Sequence, residues 1–314
     1  MVQDQDRGIP EAGYPQPQRA ENSPLQRGLT VEEAFVALTR SCVRQWQGNV
    51  AGASHAEADQ AVEFIHQVRV ALRRLRSALK VFAPALPNAF TETWPQRLRD
   101  NADRFGPARD LDVLRTELLD AIAPEWLIGM VAFRDLIDVV DRERHTAHEV
   151  AKRALDPEEQ AHMILAFNAD LLQLPGCGSD PGLELAEFAR ERLVRARRRA
   201  RERFHAASSL EPAQLHRLRI GLKDLRYAVE FFAPLLGHKT VRAYLERLTQ
   251  AQTTLGYLQD LEVARGRLEI WAQEAPSLSL AAGFVLGWHG PRYSNLRSRV
   301  LEETRPVLWG HVPW

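Results

Sequence analysis

The chain has 314 residues, 45% of them hydrophobic, and its 41 Lys and Arg residues balance its 41 Asp and Glu residues. This hydrophobic content excludes a disordered polyelectrolyte, and the neutral balance means that any electrostatic function must come from locally segregated charge. The two cysteines, Cys42 and Cys177, lie far apart without CxxC spacing, which argues against a disulfide framework and against a zinc site.

The N-terminal stretch, residues 1–29, is rich in Gln, Pro, Asp, Glu and Gly and poor in apolar side chains. Burial therefore cannot offset the entropy lost on ordering, and we expect a disordered tail. Acidic and polar residues stand where a secretory signal would have its apolar region, and no apolar run reaches the roughly 18 residues of a membrane span. We expect a cytoplasmic protein that does not cross a membrane.

Helical periodicity begins at Thr30, an expected N-cap that Glu32 and Glu33 follow in the first turn. Pro and Gly separate the later segments, and no stretch alternates apolar and polar residues as a strand does. The sequence therefore predicts an all-α fold. The further helices are expected near residues 58–83, 88–105, 109–121, 126–154, 157–173, 183–206, 212–235, 240–256, 259–274 and 279–303.

An internal repeat recurs at an offset of about 150 residues, which suits a duplicated bundle better than a solenoid. HQVRVALRRLRSALKVFAPAL at 66–86 matches HRLRIGLKDLRYAVEFFAPLL at 216–236, and the same offset pairs Gly106 with Gly256 and Arg142 with Arg292. We predict two tandem four-helix-type bundles related by pseudo-twofold symmetry. Their expected boundaries are 30–173 and 183–306, with a linker at 174–182 and a C-terminal tail at 307–314.

Each copy of the repeat carries a stripe of basic residues along one helix. At about 100° per residue the first set falls within an arc of roughly 80°, beside the apolar face that builds the core. Arg74 lies off this arc and corresponds to Asp224, whereas Lys80 lies on it but corresponds to Glu230. We expect the stripes to bind an anionic ligand through His66, Arg69, Arg73, Arg76 and Lys80 in the first copy and His216, Arg219, Lys223 and Arg226 in the second.

The segment 183–206 holds a dense run of arginines that creates a local positive field. Arg190, Arg197 and Arg201 share one face, and the equivalent helix of the first half offers Arg40 and Arg44; we add all five to the expected binding set. Guanidinium groups match phosphate oxygens in a bidentate way. The alternative for this run is a solvated face with ion pairs one turn apart, and the two stripe histidines could be ordinary buried histidines.

Two similar acidic loops, FGPARDLDV at 105–113 and LGYLQDLEV at 255–263, follow the stripes. Asp110 and Asp112 in the first, with Asp260 and Glu262 in the second, could hold Mg²⁺ in a phosphohydrolase or could cap helices and fix nearby arginines. No Walker A, GxGxxG or GxSxG motif occurs. We therefore expect no catalytic residue, metal site or cofactor.

The double pattern HQVRVALRRLRSALKVF and HRLRIGLKDLRYAVEFF, with GPARDLDV and GYLQDLEV after it, closely resembles the CHAD family, named for its histidine-bearing α-helical domain. The resemblance covers about residues 30–306. It implies two four-helix bundles with basic residues facing a central groove or pore. It also implies binding of inorganic polyphosphate and association with polyphosphate granules. Arg74 belongs to the family motif, although its position off the stripe predicts little effect on binding.

The expected function is non-catalytic binding of inorganic polyphosphate in the cytoplasm, at polyphosphate granules. A metal-dependent phosphohydrolase and a helical nucleic-acid-binding protein are the alternatives. Nucleic acid is not the expected partner, because the stripes carry no interleaved exposed aromatics for base stacking and no helix-turn-helix spacing.

Overall fold

The computed structural model describes residues 16–55, 58–127, 129–174 and 183–314. Within these ranges the chain forms α-helices and short 3-10 or π turns, and it forms no strand, so the all-α prediction is confirmed. The helices are α1 (Val31–His55), α2 (Ala58–Phe82), α3 (Asn88–Asp103), α4 (Gly106–Val113), α5 (Val131–Ala154), α6 (Pro157–Leu172), α7 (Leu185–Ala206), α8 (Pro212–Phe232), α9 (His238–Glu274) and α10 (Ser279–Trp309).

Helix α1 starts where the sequence predicts it. The hydroxyl oxygen of Thr30 accepts a hydrogen bond from the backbone N–H of Glu33 at 3.2 Å, and the Glu33 carboxylate accepts one from the Thr30 N–H at 2.9 Å. This reciprocal pair satisfies two backbone donors that the first turn of a helix leaves without partners.

The two expected helices at 240–256 and 259–274 form one continuous helix, α9, which corrects the prediction. The equivalent stretch of the first half does break, into α3 and α4, after Asp103. Pro107 explains the difference, because proline has no N–H to donate to the carbonyl four residues earlier, which is that of Asp103, and its ring crowds that carbonyl. Tyr257 stands at the matching position of the second half and continues the helix.

The main hydrophobic core joins side chains of both halves. The ring of Phe82, at the end of α2, lies 5.5 Å from that of Phe35, 5.4 Å from that of Phe188 and 5.6 Å from that of Phe232. A smaller cluster is formed by α4, α5, the second part of α9 and the first part of α10. Some helix ends match at an offset of 150 residues, such as the ends of α2 and α8 at Phe82 and Phe232, but this packing does not follow the boundary between the halves. The twofold axis and the domain limits stay predictions.

Residues 16–29 pack against the helices, which corrects the expected tail in this part of the chain. Leu25 is buried in the main core, and the Ser23 hydroxyl donates a hydrogen bond of 2.6 Å to the Phe231 carbonyl. The side-chain amide of Asn49 donates to the Gln18 carbonyl at 2.9 Å and accepts from the Gln18 N–H at 3.0 Å. Residues 1–15 and most of the expected linker at 174–182 lie outside the described residues.

The C-terminal stretch is also packed, because α10 continues to Trp309 and buries Val307 and Leu308. Tyr244 donates a hydrogen bond of 3.0 Å to the Val307 carbonyl, and its ring meets that of Trp314 edge to face. The expected tail at 307–314 is thus part of the main core. In the described part of the chain, no helix is long and apolar enough to cross a membrane.

Candidate functional site

Helices α2 and α8 pack against each other and bring the two basic stripes together. A cavity of about 390 Å³ lies beside this contact. We call it the central groove and define it by its cations, which are Arg73, Arg219, Lys223, Arg226 and Arg292. Helix α9 supplies neutral polar groups such as Thr249 and Gln252. The acidic residues that line the central groove are Glu117 and Asp260. Positive side chains from three helices therefore face one open space.

Arg73 is held in the central groove by an aromatic residue of the other half. Its Nε donates a hydrogen bond of 2.6 Å to the hydroxyl of Tyr227, and its guanidinium lies 6.0 Å from the centre of that ring. Arg226 covers the same ring at 5.4 Å and lies 3.6 Å from the carboxylate of Glu230. The buried tyrosine thus fixes two arginines that the sequence predicted as ligand contacts.

A second cavity of about 370 Å³ contains the start of the first stripe, with His66 and Arg69 beside Arg109 and Arg144. Asp112 accepts hydrogen bonds from Arg144 at 2.7 Å and His148 at 2.8 Å. Burial alone would raise the pKa of Asp112, but these two donors hold it below its ordinary value. This carboxylate fixes Arg144 and His148, which agrees with the second of the two roles that the sequence left open, the fixing of nearby arginines.

Lys223 is the most perturbed cation of the central groove. Burial, together with the positive charges of Arg73, Arg219 and Arg76, lowers its pKa to about 8, although Asp224 opposes the change. Burial and neighbouring arginines also lower the pKa values of Arg69 and Arg76 below the ordinary value for arginine. The site therefore concentrates like charges that a bound anion would stabilise.

Burial and neighbouring cations act on both stripe histidines. Burial lowers the pKa of His66, and Arg109, Arg73 and Arg69 lower it further while Glu63 opposes them. Burial also lowers the pKa of His216, with Arg219 and Lys223 acting in the same direction and a hydrogen bond to Gln259 opposing. Both rings therefore favour the neutral form more than an exposed histidine does.

Asp110 and Asp260, which match in the repeat, both lie close to the cations. Burial raises the pKa of each carboxyl group, while arginines lower it: chiefly Arg267 for Asp110 and Arg219 for Asp260. Glu262, the fourth member of the acidic loops, accepts a hydrogen bond of 2.5 Å from Tyr293 and pairs with Arg265 at 2.5 Å. No group of three or more His, Cys, Asp or Glu suited to a metal occurs in the described ranges.

Several predicted contacts lie elsewhere. Lys80 forms an ion pair of 2.5 Å with Asp224, and Arg44 pairs at 3.1 Å with Glu21 of the N-terminal segment. Arg76 is half-buried, whereas Arg40 and Arg190 are exposed on other helices. Lys80, Arg44, Arg40 and Arg190 do not line the central groove or the second cavity. Lys80 lies on the stripe face but at the C-terminal end of α2, and the three arginines belong to α1 and α7.

Two arginines of α7 hold the end of α10. Arg197 donates a hydrogen bond of 2.6 Å to the Gly310 carbonyl, and Arg201 donates one of 2.8 Å to the Leu308 carbonyl and lies over the Trp309 ring. The last carbonyls of a helix have no partner within the helix, so cations here satisfy them. These contacts correct the expectation that both residues face a ligand.

Arg74 is buried, with 8% of its surface exposed. Its guanidinium donates a hydrogen bond of 3.2 Å to the Glu21 carbonyl and lies 6.0 Å from the centre of the Phe231 ring. The helix period separates Arg74 from the stripe, but it does not predict these contacts with Glu21 and Phe231. A charge reversal here would disturb the fold.

Arg292 lines the central groove although neither stripe includes it. Its guanidinium lies 4.3 Å from the centre of the Tyr257 ring, where it faces the central groove from α10. The repeat pairs Arg292 with Arg142, but Arg292 is not part of a row of basic residues on one face of its helix. The periodicity of that helix therefore does not indicate a binding residue here. Arg109 of the second cavity was missed for the same reason.

Comparisons with known proteins are consistent with this architecture. A family model described as the CHAD domain matches residues 37–269. The chain is 28% identical over 256 residues to the uncharacterized protein Rv2226 of Mycobacterium tuberculosis (strain ATCC 25618 / H37Rv), in an alignment that covers 79% of this chain and 48% of that protein. The chain thus spans about half the length of this curated relative.

Among solved structures, the crystal structure of the CHAD domain from the plant Ricinus communis is similar to this chain with a TM-score of 0.80 and 27% sequence identity. The match covers 95% of this chain and 98% of that one. The similarity therefore extends over the helices that form both cavities.

Proposed function

Because the chain belongs to the CHAD domain family, a family associated with polyphosphate binding, we propose that it binds inorganic polyphosphate and does not process it. The observation that carries this proposal is the convergence of Arg73, Arg219, Lys223, Arg226 and Arg292 on one cavity. A chain of linked phosphates presents a regular row of charged oxygens, and several guanidinium forks can contact successive phosphates at once.

The electrostatics support a polyanion over a singly charged ligand. Lys223 keeps a pKa of about 8 in a buried position against Arg73 and Arg219, so the free site carries unfavourable repulsion between its cations. A ligand with many closely spaced negative charges relieves that repulsion at several positions together. The second cavity, with His66 and Arg69, extends the positive surface along α2.

Binding without turnover is the simplest chemistry for these groups. Asp112 is engaged by Arg144 and His148, and Glu262 by Tyr293 and Arg265. Of the two carboxylates that line the central groove, Glu117 pairs with Arg109 at 2.9 Å, and Asp260 lies close enough to Arg219 for that arginine to lower its pKa. We further propose that this binding places the protein at polyphosphate granules in the cytoplasm.

The experiment is a competition for labelled long-chain polyphosphate at a salt concentration of about 150 mM, where exposed charges are largely screened. Unlabelled polyphosphate, duplex DNA and single-stranded DNA serve as competitors. We expect polyphosphate to displace the label at far lower phosphate concentration than either DNA. Equal displacement by DNA would instead support a nucleic-acid-binding protein.

A parallel incubation with polyphosphate and Mg²⁺ or Mn²⁺ measures released phosphate over time. No release above the protein-free control is expected. Sustained release that Asp110→Ala or Asp260→Ala abolishes, with the fold intact, would show a metal-dependent phosphohydrolase and contradict the proposal.

A further inference from the structure

Helix α7 carries a second face of arginines, separate from the one that holds α10. Arg192, Arg195, Arg199 and Arg203 fall within an arc of about 80° at 100° per residue, whereas Arg197 and Arg201 lie on the opposite side of the helix. With Lys80 of α2 they line a small depression of about 40 Å³ between α7 and α8. We call this depression the outer cleft and define it by these five cations.

The outer cleft is distinct from the central groove. The two share no lining residue in the part of the chain that the structure describes. Helix α8 contributes Gly221 and Asp224 to the outer cleft and Arg219, Lys223 and Arg226 to the central groove. These two sets lie about 160° apart around the helix axis. A ligand in one site therefore contacts the opposite side of α8 from a ligand in the other.

The charges of the outer cleft are not balanced. Lys80 pairs with Asp224 at 2.5 Å, and Arg203 lies 3.6 Å from the same carboxylate, so one acidic group serves two cations. Arg192 pairs with Glu191. Arg195 and Arg199 are exposed and have no ion pair or hydrogen bond among the described residues. Five cations thus face two carboxylates.

One of the arginines that line the outer cleft is buried and incompletely paired. Arg192 is 7% exposed and stacks over the Phe188 ring at 5.5 Å, and its Nε has no hydrogen-bond partner among the described residues. A buried donor without a partner costs free energy, which a hydrogen-bond acceptor that reached it would recover. Arg192, which lines the outer cleft, thus keeps an unused donor.

The backbone is adapted to these arginines. A Cβ added at Gly221 would lie 2.9 Å from Cδ and 3.3 Å from a terminal nitrogen of Arg203, so glycine lets this side chain cross α8 toward Asp224. Glycine inside a helix is unfavourable by about 1 kcal/mol relative to alanine, so its position here has a packing reason. The first half has Ala71 and Ala53 at the matching positions.

The matching groove of the first half is occupied by the protein itself. Residues 18–23 lie over α1 and α2 there, with Glu21 paired to Arg44 and its carbonyl bonded to Arg74. Cys42, Gln45 and Asn49 stand where the second half has Arg192, Arg195 and Arg199. In the second half the matching groove is open, and arginines stand at the positions where the first half has these neutral residues.

We propose that the outer cleft is a second anion site, which takes a phosphate group of a short oligophosphate independently of the central groove. Arg195 and Arg199, one helical turn apart on the rim, contact the outer phosphate oxygens. Arg192 donates a hydrogen bond to the same phosphate group, and Lys80 and Arg203 add positive charge to the lining of the cleft. Guanidinium geometry favours phosphate over a carboxylate-bearing peptide, because three oxygens of one group can meet several forks together.

The test is calorimetric titration of the full chain with sodium tripolyphosphate at about 150 mM salt. Wild type is expected to show two classes of site. Arg195→Ala with Arg199→Ala should lose one class, each substitution weakening it about tenfold or more, while the other class remains. Arg198→Ala with Arg242→Ala removes the same charge from exposed pairs with Glu202 and Glu246 and should leave both classes intact.

A central variant, Arg219→Ala with Lys223→Met, separates this inference from the proposed function. This variant should lose binding of tripolyphosphate at the central groove and keep binding at the outer cleft. Loss of both classes in the central variant, or an unchanged isotherm in Arg195→Ala with Arg199→Ala, would overturn the second site. If poly-glutamate at equal charge concentration displaces tripolyphosphate from the outer cleft, the assignment of this site to phosphate is overturned. Absence of the central class alone would contradict the proposed function and leave this inference standing.

Discussion

The Nε of Arg73 in α2 donates a hydrogen bond of 2.6 Å to the hydroxyl of Tyr227 in α8, across the contact between the two copies of the repeat. Tyr227 is buried, so its ring has little freedom to move away. The bond links a core side chain to a cation of the central groove. One residue thus serves both packing and the orientation of a ligand-facing group.

Tyr227→Phe is expected to lower polyphosphate affinity severalfold and the free energy of unfolding by about 1 kcal/mol, because Arg73 loses its acceptor while the ring still packs. A double-mutant cycle with Arg73→Ala measures the coupling. If Tyr227 acts by positioning Arg73, the two affinity losses are not additive. Additive losses would show that the tyrosine acts through some other contact.

Lys223→Met is expected to stabilise the fold by about 1–3 kcal/mol at pH 7 while weakening polyphosphate binding. The pKa of Lys223 is about 8 in the folded protein, against an ordinary value of 10.5, so its cation destabilises the fold below pH 8. Above pH 8 Lys223 loses its proton in the folded protein, whereas the unfolded chain keeps it up to about pH 10.5. The free energy of unfolding therefore rises between these two pH values, and the cost disappears.

Chemical denaturation of both proteins across this pH range measures the effect. The stability advantage of Lys223→Met should shrink from pH 8 toward pH 10.5. A variant that is less stable than wild type at pH 7 would show that Lys223 makes net favourable contacts, contrary to the repulsion inferred for the central groove.

Polyphosphate affinity is expected to fall as pH rises through the titration of His66 and His216. Burial and neighbouring arginines lower the pKa values of both rings in the free protein, and bound phosphates would raise them again. The complex then binds more protons than the free protein, so binding is tightest at low pH. Affinity measured between about pH 5 and pH 7.5 should decline for wild type and decline less for His66→Gln with His216→Gln. Identical profiles would exclude the histidines from the site.

Arg197→Ala and Arg201→Ala are each expected to lower the free energy of unfolding by about 1–2 kcal/mol, since each leaves a C-terminal carbonyl of α10 without its charged donor. Polyphosphate affinity should change little. Urea denaturation and binding titrations of the same samples distinguish the two roles. A large loss of affinity without loss of stability would restore the interpretation that both arginines bind the ligand.

Arg74→Glu is expected to destabilise the fold by about 3 kcal/mol, because a buried carboxylate would replace the donor to the Glu21 carbonyl. Arg74→Met keeps the volume and should cost less. The protein that remains folded should bind polyphosphate as wild type does, because Arg74 faces away from the central groove. Weakened binding with unchanged stability would place Arg74 in the ligand site after all.

Local sequence signals predicted the helices well because proline, glycine and the capping residues act on their own turn of backbone. The stripes were also predictable, since the period of a helix determines which residues share a face. The same period could not show that Arg197 and Arg201 meet the end of α10, more than 100 residues away along the chain. Arg292 enters the central groove through tertiary packing alone. Residues 16–29 were predicted as a tail because composition does not report the groove that receives them.

The most direct test of the central claim is the salt dependence of polyphosphate affinity for wild type, Arg219→Ala and the exposed control Arg198→Ala. Each cation that neutralises a phosphate releases condensed counterions on binding, so its loss makes the fall of affinity with salt less steep. We expect the slope of log affinity against log salt to decrease by about 1 for Arg219→Ala and to stay unchanged for Arg198→Ala. Equal slopes in all three proteins would show that Arg219 makes no phosphate contact and would contradict polyphosphate binding in the central groove.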